Sequence, residues 1–189
     1  MNSLEAQAKF SSYLKKNGIN YLSDIDDGAS RYTMVYKGMD MSPGDVLESC
    51  IWWKQNSAEV RIYYCEVGAK LCSENPQNHP ELFRFFNYIA GYLWLKGTDF
   101  AGGSLYLSED MYNPRIYMTE DGEFDITMTF LVNYDFYEVA QLETEDFITA
   151  TCPYIMNSLS YYIFSIVLGK ISADEAIDCL EQSISDGTF

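Results

Sequence analysis

The feature that most constrains this chain is an alternation of apolar and polar residues in RIYMTEDGEFDITMTF, residues 115–130. Apolar side chains recur at every second position on both sides of Gly122, which is the period of a strand with one buried face. A three-residue loop ending at Gly122 keeps the whole apolar set on one face of a β-hairpin. This register predicts two apolar cross-strand pairs: Met118 with Phe124, and Ile116 with Ile126.

The acidic residues of this stretch, and those of DIDDGAS at residues 24–30, raise the question of a metal site. A calcium loop needs ligands at alternate positions and a final bidentate glutamate. Neither stretch has that spacing, and Gly28 occupies the position of a third ligand. We therefore interpret both stretches as solvated turns, and we expect neither a metal nor another cofactor.

A second hairpin is predicted in ESCIWWKQNSAEVRIYYCEV, residues 48–67. A two-residue turn at 56–57 pairs Trp52 with Arg61 and places both on the same face as Tyr63. If helices cover the opposite face of the sheet, these three side chains are exposed. Because exposed Trp, Tyr and Arg are enriched at binding hot spots, we predict that Trp52, Arg61 and Tyr63 bind a protein. The alternative is that this face is also buried, or is covered by residues 98–113.

Helix signals lie on both sides of these hairpins. The predicted helices are residues 4–16 with Ser3 as N-cap, residues 78–97, a helix capped by Thr144 that Pro153 breaks or kinks before it resumes to Leu168, and a last helix begun by the Ser172–Glu175 capping box. Two further strands are predicted at residues 21–23 and 31–39.

These elements predict an α+β fold in the order α-β-β-β(β)-α-β-β-α-α, with an antiparallel sheet of about five strands and helices packed on one face. No internal repeat, linker or low-complexity tract interrupts the chain. We therefore expect one domain over residues 1–189, with a core at about 3–170 and an extra C-terminal helix at about 172–184.

The charge of the chain limits its partners. The sequence has 12 Lys and Arg against 28 Asp and Glu, which gives a net charge of −16, and most of the excess lies in residues 96–189. Nucleic acids and anionic membranes need a basic surface, so we expect neither as a main partner. The acidity indicates either simple solubility or a protein partner that is basic or amphipathic.

The cysteines and the apolar segments bear on the location of the protein. Five cysteines, an odd number with no CxxC pair, indicate a reduced, cytoplasmic protein. The N-terminal region has no long apolar run, so no secretory signal is expected. Residues 154–168 are rich in apolar side chains but too short to span a bilayer, and we predict a buried helix there.

Catalytic patterns are weak throughout the sequence. The sole histidine, His79, precedes a proline at a predicted helix start, and no GxSxG motif is present. The AGGS segment at 101–104 lacks the lysine of a phosphate-binding loop. Carboxylate pairs are so abundant in the second half of the chain that no single pair is informative. We therefore predict no catalytic residue.

Three stretches carry a resemblance to a known family: FFNYIAGYL, IYMTEDGEFDITMTFLV and LETEDFITATCPYIMNSLSYYIFSIVLG. With the first helix, they make residues 3–170 similar to the YbjN-like family of bacterial proteins and to the type III secretion chaperone-like fold. The chain departs from that pattern at residues 98–113, at Pro153 and in the helix after Gly169. The resemblance implies a small cytoplasmic protein that commonly forms a homodimer, binds segments of client proteins and has no catalytic residues.

The sequence thus leads to three functional hypotheses. The first is a non-enzymatic, chaperone-like or adaptor protein in the bacterial cytoplasm, a homodimer that binds another protein. The second is a small-molecule-binding protein or an enzyme that uses carboxylates in a pocket near residues 98–113. The third is an acidic, immunity-type protein that neutralises a toxin.

Overall fold

A computed structural model describes residues 1–93, 112 and 114–189, and within them the chain is an α+β structure with one open antiparallel sheet. The sheet order is β1-β2-β3-β4-β6-β5, so a four-stranded meander is extended by a returning hairpin. The strands are β1 (Leu22–Asp26), β2 (Ala29–Lys37), β3 (Val46–Trp53), β4 (Ser57–Tyr64), β5 (Arg115–Met118) and β6 (Ile126–Asn133). The prediction of about five strands is therefore one strand short.

Seven α-helices flank the strands within the same residues. They are α1 (Ser3–Lys16), α2 (Glu66–Glu74), α3 (His79–Tyr88), α4 (Tyr134–Val139), α5 (Gln141–Asp146), α6 (Cys152–Val167) and α7 (Ala173–Ser185). Residues Ile89–Leu93 and Phe147–Thr151 form π-helical turns. In this described part of the chain, no helix is long and apolar enough to cross a membrane.

The helices that contact the sheet meet the same face of it. Trp53 of β3 packs against Phe10 of α1 with ring centroids 5.6 Å apart. Tyr64 of β4 packs edge-on against Phe164 of α6 at 4.9 Å, and its hydroxyl donates to the backbone oxygen of Met156 at 2.6 Å. Side chains at alternate strand positions join these rings in one buried core, as the sheet period requires.

The β1–β2 connection is a two-residue hairpin loop. Asp26 pairs with Ala29 across it, and the loop residues Asp27 and Gly28 have φ values of 48° and 75°. Positive φ at both positions is the mark of a type I′ turn, whose twist matches that of the flanking strands. The predicted solvated turn at DIDDGAS is thus a tight hairpin.

The predicted register of the β3–β4 hairpin is wrong by two residues. Trp52 pairs with Glu59 rather than with Arg61, and the turn is residues 55–56, closed by the Lys54 N–H donating to the Ser57 oxygen at 3.0 Å. A shift of two residues leaves each side chain on its original face because the strand period is two. Trp52, Arg61 and Tyr63 therefore share one face, as predicted.

The β5–β6 hairpin shows the same two-residue error. Ile116 pairs with Met128 and Met118 with Ile126, so the predicted pairs are wrong although the apolar face is right. The loop is longer than predicted because side chains stabilise it: Thr119 Oγ1 accepts the Asp125 N–H at 3.0 Å, and Asp121 accepts the Glu123 N–H at 3.0 Å. Phe124 lies in this loop with a φ of 59° and packs against His79 at 5.8 Å.

The helices differ from the predictions in several places, and α4 lies where an acidic connector was expected. The N-cap of α1 is Asn2, which forms the capping box with Glu5, rather than Ser3. Thr144 caps no helix but lies buried within α5, where its hydroxyl donates to the Ala140 oxygen at 2.7 Å. Helix α2 was not predicted, because its N-cap, Cys65, makes no side-chain capping bond that would mark its start.

Pro153 neither ends nor sharply breaks the helical path. It occupies the first turn of α6, and the preceding residues Phe147–Thr151 widen into a π turn. The proline has no N–H to donate to a carbonyl one turn earlier, so the backbone adjusts its winding before the proline. The final helix begins at the predicted Ser172–Glu175 capping box and extends to Ser185.

Candidate functional site

The sheet face opposite the core is the candidate site, and we call it the outer face. Its side chains form rows across the strands: Arg31, Trp52, Glu59 and Leu131; then Thr33, Cys50, Arg61, Thr129 and Arg115; then Val35, Glu48, Tyr63, Thr127 and Tyr117. The sheet contacts described above place the helices on the opposite face. Three of the four arginines of the protein lie on this face.

Trp52 lies on the outer face near the β3–β4 turn. The Arg31 guanidinium carbon lies 5.9 Å from the centroid of the Trp52 ring, and that of Arg61 lies 5.0 Å away. The indole Nε1 donates to Asp26 Oδ2 at 2.7 Å. Two cation–π contacts and one hydrogen bond to a carboxylate thus hold the half-buried ring in place.

Carboxylates hold the two guanidinium groups in place. Arg31 donates through Nη2 to Asp24 at 2.6 Å and through Nη1 to Asp26 at 3.0 Å. The hydrogen bond from Arg31 lowers the pKa of Asp24. Arg61 forms an ion pair with Glu59 at 2.6 Å, and Glu59 also pairs with Lys54. Burial opposes ionisation of Glu59, but the hydrogen bonds from Lys54 and Arg61 lower its pKa.

Tyr63 belongs to a neighbouring polar cluster rather than to the Trp52 contacts. Its hydroxyl hydrogen-bonds Glu48 and lies 3.4 Å from the Cys50 sulfur. Burial, followed by these two contacts, raises the pKa of Tyr63. Burial also raises the pKa of the Cys50 thiol, so little thiolate forms there at neutral pH. The Tyr63 hydroxyl is therefore already engaged within the protein.

Exposed apolar side chains are spread across the outer face. Leu22 of β1 is 74% exposed, Leu131 of β6 is 62% exposed and Val35 of β2 is 49% exposed. Lys37 and Arg115 are exposed and form no ion pair with the described residues. A concavity of about 560 Å³ adjoins Trp52 between the two tight turns, lined by Gly28, Gln55 and Glu59 among others.

The structure brings two of the three predicted residues together and adds others. Trp52 and Arg61 are in contact, whereas Tyr63 bonds to Glu48. Arg31 and Asp26 were not predicted. The Asp27–Gly28 pair was the available signal, because a type I′ turn there fixes the β1–β2 register and places Asp24 opposite Arg31.

The predicted carboxylate pocket near residues 98–113 lies outside the described residues, except for Tyr112. That side chain is buried and stacks on Phe147 with centroids 5.1 Å apart. Among the residues that the structure describes, no group of three or more His, Cys, Asp or Glu side chains could hold a metal ion. Comparisons with protein-family models, with curated proteins and with solved structures return no match for this chain.

Proposed function

We propose that this protein is a non-enzymatic adaptor or chaperone-like protein that binds another protein through the outer face. The observation that carries the proposal is Trp52, held between Arg31 and Arg61 on the sheet face opposite the helices. Side chains that are already ordered lose little conformational freedom on binding. Tryptophan and arginine are also the residue types that most often dominate binding energy.

The chemistry of the outer face favours an amphipathic partner segment. Leu131, two strands from Trp52 in the same row, and Val35, two rows away, offer apolar contacts on the same face. The carboxylates near Arg31 and Arg61 already neutralise those arginines, so Lys37 and Arg115 are the cations that remain for a partner. A segment with an apolar stripe and flanking carboxylates would match this arrangement. We propose, with the family resemblance, that the protein acts in the bacterial cytoplasm as a homodimer.

Site-specific crosslinking tests the proposal. A photo-crosslinking amino acid would replace Leu131 on the outer face or, as a control, Tyr161 on α6, which is 57% exposed. We expect one protein to crosslink from position 131 and not from position 161. Leu131→Glu in a second experiment should reduce recovery of that protein in a native pull-down, because it adds a charge to the apolar contact. The same proteins crosslinked from both positions, or none from 131, would contradict the proposal.

Two alternatives remain as proposals. The immunity-type hypothesis also predicts a protein partner, and the identity of the crosslinked protein separates it from the adaptor hypothesis: a toxin in one case, a client in the other. The small-molecule hypothesis predicts no crosslinked protein at all. A pull-down at low and high salt adds a second criterion, because contacts to Lys37 and Arg115 weaken as salt screens them.

A further inference from the structure

A groove of about 620 Å³ lies between α1 and α5, outside the outer face. One stripe of α1 lines one side of it, and α5 lines the other. Its lining includes Lys9, Tyr13 and Lys16 of α1, and Leu142 and Glu145 of α5. Positions 9, 13 and 16 share a helix face because they are spaced by four and three residues. The volume falls in the range of small-molecule sites.

Glu145 is the unusual member of this groove. It is 2% exposed and is the only charged side chain among the described residues that is buried so completely. Its Oε1 accepts hydrogen bonds from the Tyr137 hydroxyl at 2.7 Å and from Gln141 Nε2 at 2.9 Å. Its Oε2 accepts no hydrogen bond from the described residues, and no cation among them forms an ion pair with it.

Buried carboxylates in proteins are normally paired with a cation or with several donors. Burial raises the pKa of Glu145, and the hydrogen bonds from Tyr137 and Gln141 only partly oppose this. A cationic group that entered the groove and bonded to Oε2 would add an ion pair to the two hydrogen bonds on Oε1. A primary ammonium fits this role because it is compact and carries three donors.

The α1 wall of the groove, opposite Glu145, supplies positive charge. Lys9 and Lys16 lie two helical turns apart, and neither forms an ion pair with a described residue. Leu142 lies on α5, the same wall as Glu145, is 60% exposed and supplies an apolar surface. The Tyr13 hydroxyl donates a hydrogen bond to Asp146 at 2.7 Å, which holds the ring in place. The exposed Asp146 carboxylate is therefore already bonded within the protein. The groove thus offers a site for a cation, a site for an anion and an apolar wall.

A π turn of the backbone lies next to this groove. The π turn Phe147–Thr151 follows α5 directly, and the Thr149 hydroxyl donates to the Glu145 backbone oxygen at 2.8 Å. The Tyr13 hydroxyl also contacts the Thr149 hydroxyl at 3.1 Å, so α1 is joined to the turn that holds the Glu145 backbone.

We propose that this groove binds a free amino acid with an apolar side chain. Its ammonium group would bond to Glu145, its carboxylate would pair with Lys9 and Lys16, and its side chain would lie against Leu142. The groove lies outside the outer face, so this proposal is tested separately from the protein-binding function.

Calorimetric titration of the full-length protein tests the proposal. The probes are the apolar L-amino acids, and for L-leucine two matched analogues: 4-methylpentanoate, which lacks the ammonium, and leucinamide, which lacks the carboxylate. We expect a fitted affinity for at least one amino acid at concentrations up to about 10 mM, where a site with a Kd of about 1 mM is mostly filled. Each analogue of a binding amino acid should bind at least about tenfold more weakly.

Two variants locate the site. Glu145→Gln keeps the shape of the side chain but removes its charge, and we expect it to weaken binding by about thirtyfold or more. Glu143→Gln on the same helix is the control, because Glu143 is exposed and does not line the groove, and it should bind normally. If Glu145→Gln fails to fold, Lys9→Ala decides, with an expected loss of about threefold to tenfold. Normal binding by the deciding variant, or no binding of any apolar amino acid by the unaltered protein, overturns the proposal.

Discussion

The indole of Trp52 donates its hydrogen bond to Asp26, a residue of the neighbouring hairpin, at 2.7 Å. Asp26 also accepts a hydrogen bond from Arg31, whose guanidinium lies near the same indole ring. Trp52, Asp26 and Arg31 therefore form a closed set of contacts that joins β1, β2 and β3. A residue proposed to bind a partner is thus also a residue that stabilises the sheet.

Trp52→Ala should reduce stability as well as partner binding. The substitution removes a hydrogen bond to a carboxylate, two cation–π contacts and half-buried apolar area, which together predict a loss of about 1–3 kcal/mol in the free energy of unfolding. Chemical denaturation followed by circular dichroism measures it. Tyr161→Ala on α6 serves as the exposed aromatic control and should change stability by less than about 0.5 kcal/mol. Equal effects of the two substitutions would show that the Trp52 contacts contribute nothing.

Arg31→Lys should weaken the same set of contacts through geometry rather than charge. Arg31 bonds to both Asp24 oxygens and to Asp26, and a single ammonium cannot reproduce this fork. Because the partners are partly exposed, we expect a loss of only about 0.5–1 kcal/mol. Denaturation of both proteins at low and high salt checks the cause. Because lysine keeps the charge, the cost should change little as salt rises, and a cost that disappears at high salt would point to charge rather than to the geometry of the hydrogen bonds.

Gly68→Ala should destabilise the protein although alanine favours helices. A Cβ at this position of α2 would lie 2.6 Å from the Tyr64 Cβ and 3.2 Å from the Phe164 ring, and both side chains are in the core. Overpacking of this kind costs about 1–3 kcal/mol. This cost exceeds the stability that a helix gains when alanine replaces glycine. Gly91→Ala is the control because, beyond its chain neighbours and its own helix backbone, no atom of the described residues lies within 4 Å of the added Cβ, and thermal unfolding should show no loss of stability there.

Glu145→Gln should change the dependence of stability on pH. The pKa of Glu145 is raised in the folded protein, chiefly by burial, so the folded state binds this proton more tightly than the unfolded state. Ionisation above the unfolded pKa of about 4.3 then disfavours folding, and this cost grows until the pH passes the folded pKa. The variant lacks the cost, so its stability relative to the unaltered protein should rise from about pH 4 until the pH passes the folded pKa of Glu145. Glu143→Gln is the control, and a flat difference for Glu145→Gln would contradict the prediction.

The parts of the fold that follow from residue alternation were predictable from the sequence. Period two determines which face a side chain occupies, and the faces of Trp52, Ile116 and Met128 were therefore correct. The register of the strand pairs was not predictable, because a shift of two residues leaves every side chain on the same face. Only loop contacts distinguish the alternatives, such as the bond from Asp125 to Thr119, and these depend on side-chain geometry.

The candidate sites were less predictable because they depend on contacts between distant segments. Trp52 and Asp26 are 26 residues apart, and their hydrogen bond requires the order of three strands. Glu145 was one of many acidic residues in the second half of the chain, and only its burial distinguishes it from the rest. Burial of a single acid follows from packing between helices, which local patterns do not determine.

The acidic residues of the helical segment are not balanced within that segment. From α4 to α7 the chain has nine acidic residues and one lysine, whereas on the outer face carboxylates neutralise Arg31 and Arg61. A net negative charge of this kind produces a field that extends about a Debye length into the solvent. A positively charged molecule would therefore be attracted to the helical segment before contact, and more strongly at low salt than at high salt.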